Sequence, residues 1–423
     1  MNLTKINKPS ALLVQIQVPA GNWVDVGVLY NLNEINWFEF SDSYWNLAER
    51  PILGQKFEES RRDWKPSSRV ALPNWFSHLL PEGALRAAVA QAANVHRARE
   101  FNLLVRIGVD DLPGALRIRP TVGLEDVRTP PELLEAEDGK QEDNPLIKFS
   151  LAGTQLKFSV CRKGKGLTIP IKGQAGNAIA KLPDFRQGHA GIPEEELACL
   201  ELARRVGIDA ATARLADLNS IVGLEDWASK VTGNALIVDR FDRAPSGIRV
   251  HMEEFAQILN VPATREDSKY KRANFETIAS IASALCGVQA VGEIIDRIVL
   301  NILVGNGDAH LKNWAVLYAD GVTASLSPMY DVLPTVVHLP GDDMGLKLSG
   351  ARVFESIQPS SFDRLGERSG LGVSQARTHV REAVDRIMSH WGLLRDYLAA
   401  EKYERLTERH RNLGLLRSKS LGL

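Results

Sequence analysis

The sequence has 423 residues, with 51 Lys and Arg against 52 Asp and Glu and a net charge of −1 at pH 7. That balance leaves no global basic field and so excludes a dedicated nucleic-acid binder, while the length calls for two or three domains rather than one core. Cys161, Cys199 and Cys286 show no C-x-x-C spacing, and the start Met1 to Lys5 has no apolar leader. The longest uncharged run, Thr277 to Gly292, is too short and polar to span a bilayer, so the expectation is a cytoplasmic protein without structural zinc or membrane contact.

The first predicted element is a hairpin. Leu12 to Val18 and Trp23 to Tyr30 alternate apolar and polar residues around the turn at Pro19-Ala20-Gly21-Asn22. A strand over Ile35 to Phe40 follows, then an aromatic segment and a helix from Ala84 to Ala93. Residues 1–120 are expected to form a small α+β subdomain, with Asp110 and Asp111 in a turn beside Pro113-Gly114. Residues 121–145 turn acidic and proline-containing, which marks a linker.

Residues 146–243 are expected to form a β-rich lobe ending in a hinge. Phe149 to Val160 reads as two strands around a loop at Ala152-Gly153, and Asn177 to Leu182 as a strand carrying Lys181. Small residues in such a loop let backbone N–H groups approach phosphates, and a strand lysine can pair with them; a hairpin glycine is also ordinary. The stretch from Pro193 to Val206 has acids early, bases late and Gly207 as a stop, the signature of a helix with Leu197, Leu200, Ala203 and Val206 on its buried face. Glu196 could reach Lys181 from that helix. The apolar run into Asp239-Arg240-Phe241 suits a connector between lobes, offering backbone groups to an adenine edge.

Residues 244–423 are expected to form an all-helical lobe, from the patterns at Glu253 to Leu259, Phe275 to Leu285 and Ile294 to Leu303. The tail from Glu401, with six Lys and Arg against three Glu, is expected to be a solvated helix. The chemistry concentrates at Gly305-Asn306-Gly307-Asp308-Ala309-His310-Leu311-Lys312-Asn313, followed by a hairpin and Pro328-Met329-Tyr330-Asp331. Phosphoryl transfer needs an acceptor for a hydroxyl proton, hard oxygen ligands for Mg and cations on the phosphates. Asp308 suits the acceptor, with Asn313 and Asp331 as metal ligands; His310 would orient the loop. Each also has a plain reading as a turn, loop or cap residue.

These motifs, with Ser150 to Lys157, Lys181-Leu182-Pro183 and Asp239 to Asp242, closely resemble the HipA family of serine/threonine kinases, the toxins of HipBA-type toxin–antitoxin systems. Leu79-Leu80-Pro81-Glu82-Gly83 and Gly114-Ala115-Leu116 resemble that family's N-terminal subdomain. The resemblance implies a bilobal protein-kinase-like α+β fold using ATP and Mg2+. At matching positions it implies Asp308 as proton acceptor, Asn313 and Asp331 on Mg, and Lys181 on the phosphates. It places backbone from Ala152, Gly153, Thr154, Gln155, Leu156 and Lys157 along the nucleotide, hinge contacts at Asp239, Arg240 and Phe241, and His310, Lys312 and Tyr330 on the nucleotide side.

Ser150 falls where the family is autophosphorylated, and a phosphate there would repel the ATP phosphates and switch the enzyme off. The implied partners are a HipB-like helix-turn-helix antitoxin, operator DNA mainly through that antitoxin, and a protein substrate such as an aminoacyl-tRNA synthetase. Departures from the pattern are modest: Thr154 and Leu156 occupy variable loop positions, and Pro334 closely follows Asp331. Two alternatives stay open at this level: a small-molecule or lipid-headgroup kinase, and a catalytically silent co-repressor that bridges antitoxin subunits.

Overall fold

A computed structural model describes residues 10–121 except 93, 109 and 110, and residues 157–420 except 165, 169–174, 184–190, 224–232 and 266. Ser150, the loop from Ala152 to Leu156, and almost all of the acidic linker lie outside the described residues.

The expected hairpin is β1 (Ser10–Gln17) against β2 (Trp23–Leu32), closed with Gln17 opposite Trp23. Strands β3 (Ile35–Phe40), β4 (Ser67–Arg69) and β5 (Leu116–Pro120) complete an antiparallel sheet in the order β4-β3-β2-β1-β5. Period-two alternation buries Leu12, Val14 and Ile16 against Phe38, Phe57, Trp75 and Phe76, and helices α1 (Gly83–Ala92) and α2 (Glu100–Ile107) belong to the same unit. Asp111 does lie beside Pro113-Gly114, where it pairs with Arg240 at 2.7 Å.

The second sheet has six strands: β6 (Lys157–Lys163), β7 (Gly166–Thr168), β8 (Ala178–Lys181), β9 (Ala213–Asp217), β10 (Ile221–Val222) and β11 (Asn234–Asp239). Their order is β10-β7-β6-β8-β11-β9. Helix α3 (Ile192–Arg205) packs on β11 and β9, with Leu197, Leu200, Ala203 and Val206 all buried as their shared stripe requires. Gly191 caps it in the left-handed region, and Glu194 and Glu195 fill its first turn, where the helix dipole favours acids.

The third region is mainly helical: α4 (Phe275–Cys286), α5 (Ala290–Val304), α6 (Asp363–Ser369), α7 (Val373–Ser389) and α8 (Ala400–Arg409). Two expectations for it are corrected. The lobe is not all-helical, because β12 (His251–Glu254), β13 (Ala315–Tyr318) and β14 (Ala324–Leu326) form an antiparallel sheet. The hairpin β13-β14 was expected, but β12 was masked by an apolar spacing shared with the short helix Phe255–Ile258 that follows it. Nor is the tail simply solvated. Tyr403, Leu406, Leu413 and Leu415 are buried, and Arg409 donates to the carbonyls of Ile302 and Leu303 at 3.0 and 3.1 Å. Those groups come together only when the lobe closes.

The N-terminal unit sits against the helical lobe through buried polar contacts. Glu253 on β12 is fully buried and accepts hydrogen bonds from the Gln55 N–H at 2.9 Å, Trp75 Nε1 at 2.8 Å and Tyr318 Oη at 3.1 Å. Burial pushes its carboxyl up to about 7, against the pull of those three donors. The rings of His78 and His251 reach the carbonyls of Val261 and Leu53, each at 2.8 Å, across the same seam. Among the described residues no helix is long and apolar enough to cross a membrane.

Candidate active site

Helix α5 delivers the chain into the Asp308 loop. Its apolar face, including Ile294, Ile298 and Ile302, is buried, and Gly305 ends it in the left-handed region. A Cβ at Gly305 would come within 2.4 Å of Val336, so both the conformation and the space require glycine. Gly307 is as constrained, since a Cβ there would lie 2.0 Å from the Asp342 carboxylate.

Within the loop Asp308 is almost fully buried. Its N–H donates to Asn306 Oδ1 at 3.0 Å, and Tyr270 Oη donates to its Oδ1. Burial pushes the Asp308 carboxyl up to about 6, with the Lys269 charge and the Tyr270 hydroxyl pulling the other way. Asn313 donates from Nδ2 to the Asp308 carbonyl at 2.8 Å, which fixes the amide and leaves its oxygen as the half able to face a cation. His310 stacks edge-on against Tyr270 with ring centroids 5.1 Å apart, and its Nε2 lies 3.9 Å from Asp308, too far for a hydrogen bond. Burial and then Lys269 hold its imidazole well below the usual value, so the ring is neutral.

The β-rich lobe meets this loop at Asp331. Lys181 Nζ, on β8, contacts Glu196 Oε1 of α3 and Asp331 Oδ1, the latter at 2.7 Å; Lys157 Nζ, on β6, reaches Asp331 Oδ2 at 3.0 Å. Burial pulls the Lys181 ammonium down, but Asp331 and Glu196 outweigh it and hold it well above its usual value. Burial likewise pushes the Asp331 carboxyl up, and Lys157 and Lys181 together reverse that and keep it ionised far below the carboxylate range. Asp331 stands at φ 58°, a left-handed conformation that aspartate tolerates better than most residues.

Other expected residues are placed less directly. Asp239 pairs with Arg162 at 3.0 Å, and the N–H groups of Asp239 and Arg240 are spent on the carbonyls of Thr212 and Asn177 at 2.8 and 3.0 Å. The Arg240 guanidinium faces Asp242 and Asp111, each at 2.7 Å, rather than the cleft. Phe241 packs on Tyr330 with centroids 5.4 Å apart, and Tyr330 Oη donates to the Lys312 carbonyl at 2.7 Å, tying the segment after β11 to the Asp308 loop. Lys312 itself lies 2.8 Å from Glu82 and 3.7 Å from Glu254. The N-terminal unit thus enters the site through Glu82, which also holds Lys269 at 2.8 Å.

Sequence reasoning missed Tyr270 and Lys269. Both lie on the short helix Ser268–Lys271, with no spacing relation to Asp308, so no local signal marked them. Glu82 stood in a recognised motif, but nothing in that motif pointed to Lys312.

Asn313 and Asp331 line one small cavity together with Arg297, Asn301, Asn306 and Tyr330. One ionised carboxylate and one amide oxygen suit Mg2+, which takes few protein ligands and completes its shell with phosphate oxygens and water. Among the described residues no cluster of three or more His, Cys, Asp or Glu offers a metal site independent of phosphate. The two ammoniums beside Asp331 are cations of the kind that could meet the phosphate charge such an ion would accompany.

Residues 149–391 match the HipA-like C-terminal domain and residues 21–119 the HipA N-terminal domain. Two proteins of Sinorhizobium fredii (strain NBRC 101917 / NGR234), each designated a candidate kinase, are similar over most of their length. Y4dM is 37% identical over 84% of this chain and 85% of its own. Y4mE is 28% identical over 85% of this chain and 84% of its own. A chain of the Shewanella oneidensis MR-1 toxin–antitoxin complex of HipA, HipB and operator DNA shares the fold at a TM-score of 0.70 and 18% identity, covering 96% of this chain and 98% of that one.

Proposed function

Because this chain belongs to the HipA family and has its kinase-like fold, we propose that it is a Mg-ATP-dependent serine/threonine-protein kinase acting as the toxin of a toxin–antitoxin pair. The observation that carries this reading is Lys181, held by Glu196 on one side and Asp331 on the other, with Asp308 set in a buried loop across the cleft. Here Lys181 and Lys157 would carry phosphate charge, and Asp331 with the Asn313 oxygen would hold Mg2+. The ion would supply charge neutralisation at the transferring phosphoryl group. Asp308 would orient a substrate hydroxyl and take its proton, with Tyr270 fixing the carboxylate. The backbone of Phe241 and the carbonyls of Asp239 and Arg240 would meet the adenine edge, since two of the hinge N–H groups are already bonded.

The substrate would be a protein, such as an aminoacyl-tRNA synthetase, and the partner a HipB-like antitoxin carrying the operator contact. Autophosphorylation at Ser150 would turn the activity off by charge repulsion. The test is transfer of labelled phosphate from ATP with Mg2+ into purified protein and cell lysate, followed by identification of the labelled band. Label on a protein, absent from folded Asp308→Asn and Asp331→Ala variants, is the expected result; equal label from those variants would overturn the reading.

A further inference from the structure

Glu195 and Glu196 are successive residues of α3, so their side chains leave the helix about 100° apart. Glu196 turns to the sheet and meets Lys181. Glu195, 2% exposed, turns the other way and is gripped by groups from two distant segments. His338 Nε2 lies 2.5 Å from its Oε2, and Lys402 Nζ contacts its Oε1. His338 stands seven residues after Asp331, and Lys402 is on α8 in the C-terminal tail. Each carboxylate oxygen thus has one nitrogen partner, and a buried carboxylate is held strongly only while such partners remain.

These contacts tie α3, which carries Glu196, to the segment after Asp331 and to α8. We propose that Glu195, His338 and Lys402 form a positioning clamp that sets the Lys181–Glu196 pair, so that the C-terminal helix α8 is part of the active-site assembly. None of the three touches a reacting atom; they act through Glu196. This inference rests on the kinase reading for its consequence, and on geometry alone for the anchoring of α3.

The experiment makes Lys402→Met, which keeps the aliphatic stem and removes the charge, in the parent and in a Glu196→Gln background. The expected result is a rise in KM for ATP of about tenfold in the parent and almost none in the Glu196→Gln protein, with Lys402→Arg restoring the parent value. An equal loss in both backgrounds would mark a general structural role and overturn the proposal, as would an unchanged KM. Hydrogen exchange provides the arm that does not depend on catalysis: Lys402→Met should speed exchange across α3 whether or not the parent transfers phosphate. Unchanged protection of α3 overturns the clamp, whereas absent phosphate transfer by the parent overturns the kinase reading and leaves the exchange result to decide the clamp. Should Lys402→Met unfold the chain, Lys402→Gln repeats the same comparison with a donor retained.

Discussion

Two buried charge clusters flank the hinge, and both hold two cations and two carboxylates. In one, Asp242 accepts from Arg240 and Arg243 at 2.7 and 2.9 Å and from the Gly114 N–H at 2.7 Å, while Asp111 takes the other side of Arg240. In the other, Lys157 and Lys181 share Asp331, with Glu196 behind them. The difference is in the cations. Guanidinium forks lock a carboxylate in a fixed plane, whereas ammoniums are compact charges that exchange partners readily. The arginine cluster joins the N-terminal unit to the segment after β11, and under the proposed function the lysine cluster would hand its charge to a phosphate.

The sharpest way to break that contrast is to remove one carboxylate from each. Asp331→Ala should abolish phosphate transfer, by ~10³-fold or more, while leaving Lys181 its Glu196 partner and lowering stability by only about 1 kcal/mol. Labelled-phosphate transfer and a denaturant midpoint, measured on one preparation, check both parts. Asp242→Ala should do the reverse at the level of folding, costing about 3 kcal/mol because two buried guanidiniums lose the carboxylate they share and keep only Asp111 between them; urea unfolding reads this directly. Equal stability losses in the two variants would erase the distinction.

Tyr270→Phe gives a smaller effect. Loss of the hydroxyl that orients Asp308 should lower kcat ~10-fold with little change in KM for ATP. The Asp308 carboxyl stands near 6 and must be ionised to accept a proton, so activity should rise as pH passes through 6. Removing the Tyr270 hydrogen bond, which favours the ionised form, should move that limb to higher pH. A rate profile at several pH values would show it, and an unmoved limb would put Asp308 outside the rate-determining proton transfer.

The mildest expectation concerns the seam at Glu253. Its folded value of about 7 lies above the 4.5 of an unfolded glutamate, so the folded chain binds the extra proton. The contribution to stability is full below pH 4.5 and is lost as pH rises through 7, a change of about 3 to 3.5 kcal/mol at most. Glu253→Gln should flatten this part of the stability–pH curve and be the more stable form at pH 8; a curve as steep as the parent's would assign the dependence to other groups.

The elements of the fold were readable where a periodic pattern met a stop signal: the β1-β2 hairpin at Gly21, α3 before Gly207, and α5 before Gly305. Lys181, Asp308, Asn313 and Asp331 stood out as candidates because they occupy compact motifs of residue types that phosphate chemistry uses, and the pairing of Lys181 with both Glu196 and Asp331 is what the structure adds. Strand β12 was not, since His251 to Glu254 takes its register from β13, some sixty residues later in the chain.

By itself the sequence determined local geometry and the inventory of reactive groups, because propensity, capping and side-chain chemistry act over a few residues. Only the tertiary structure decided the partners. It set Tyr270 on Asp308, Glu82 on Lys312, and the tail lysine Lys402 on Glu195, pairs 38, 230 and 207 residues apart. A carboxylate's partner is fixed by what burial brings within about 3 Å, and no spacing along the chain encodes that distance.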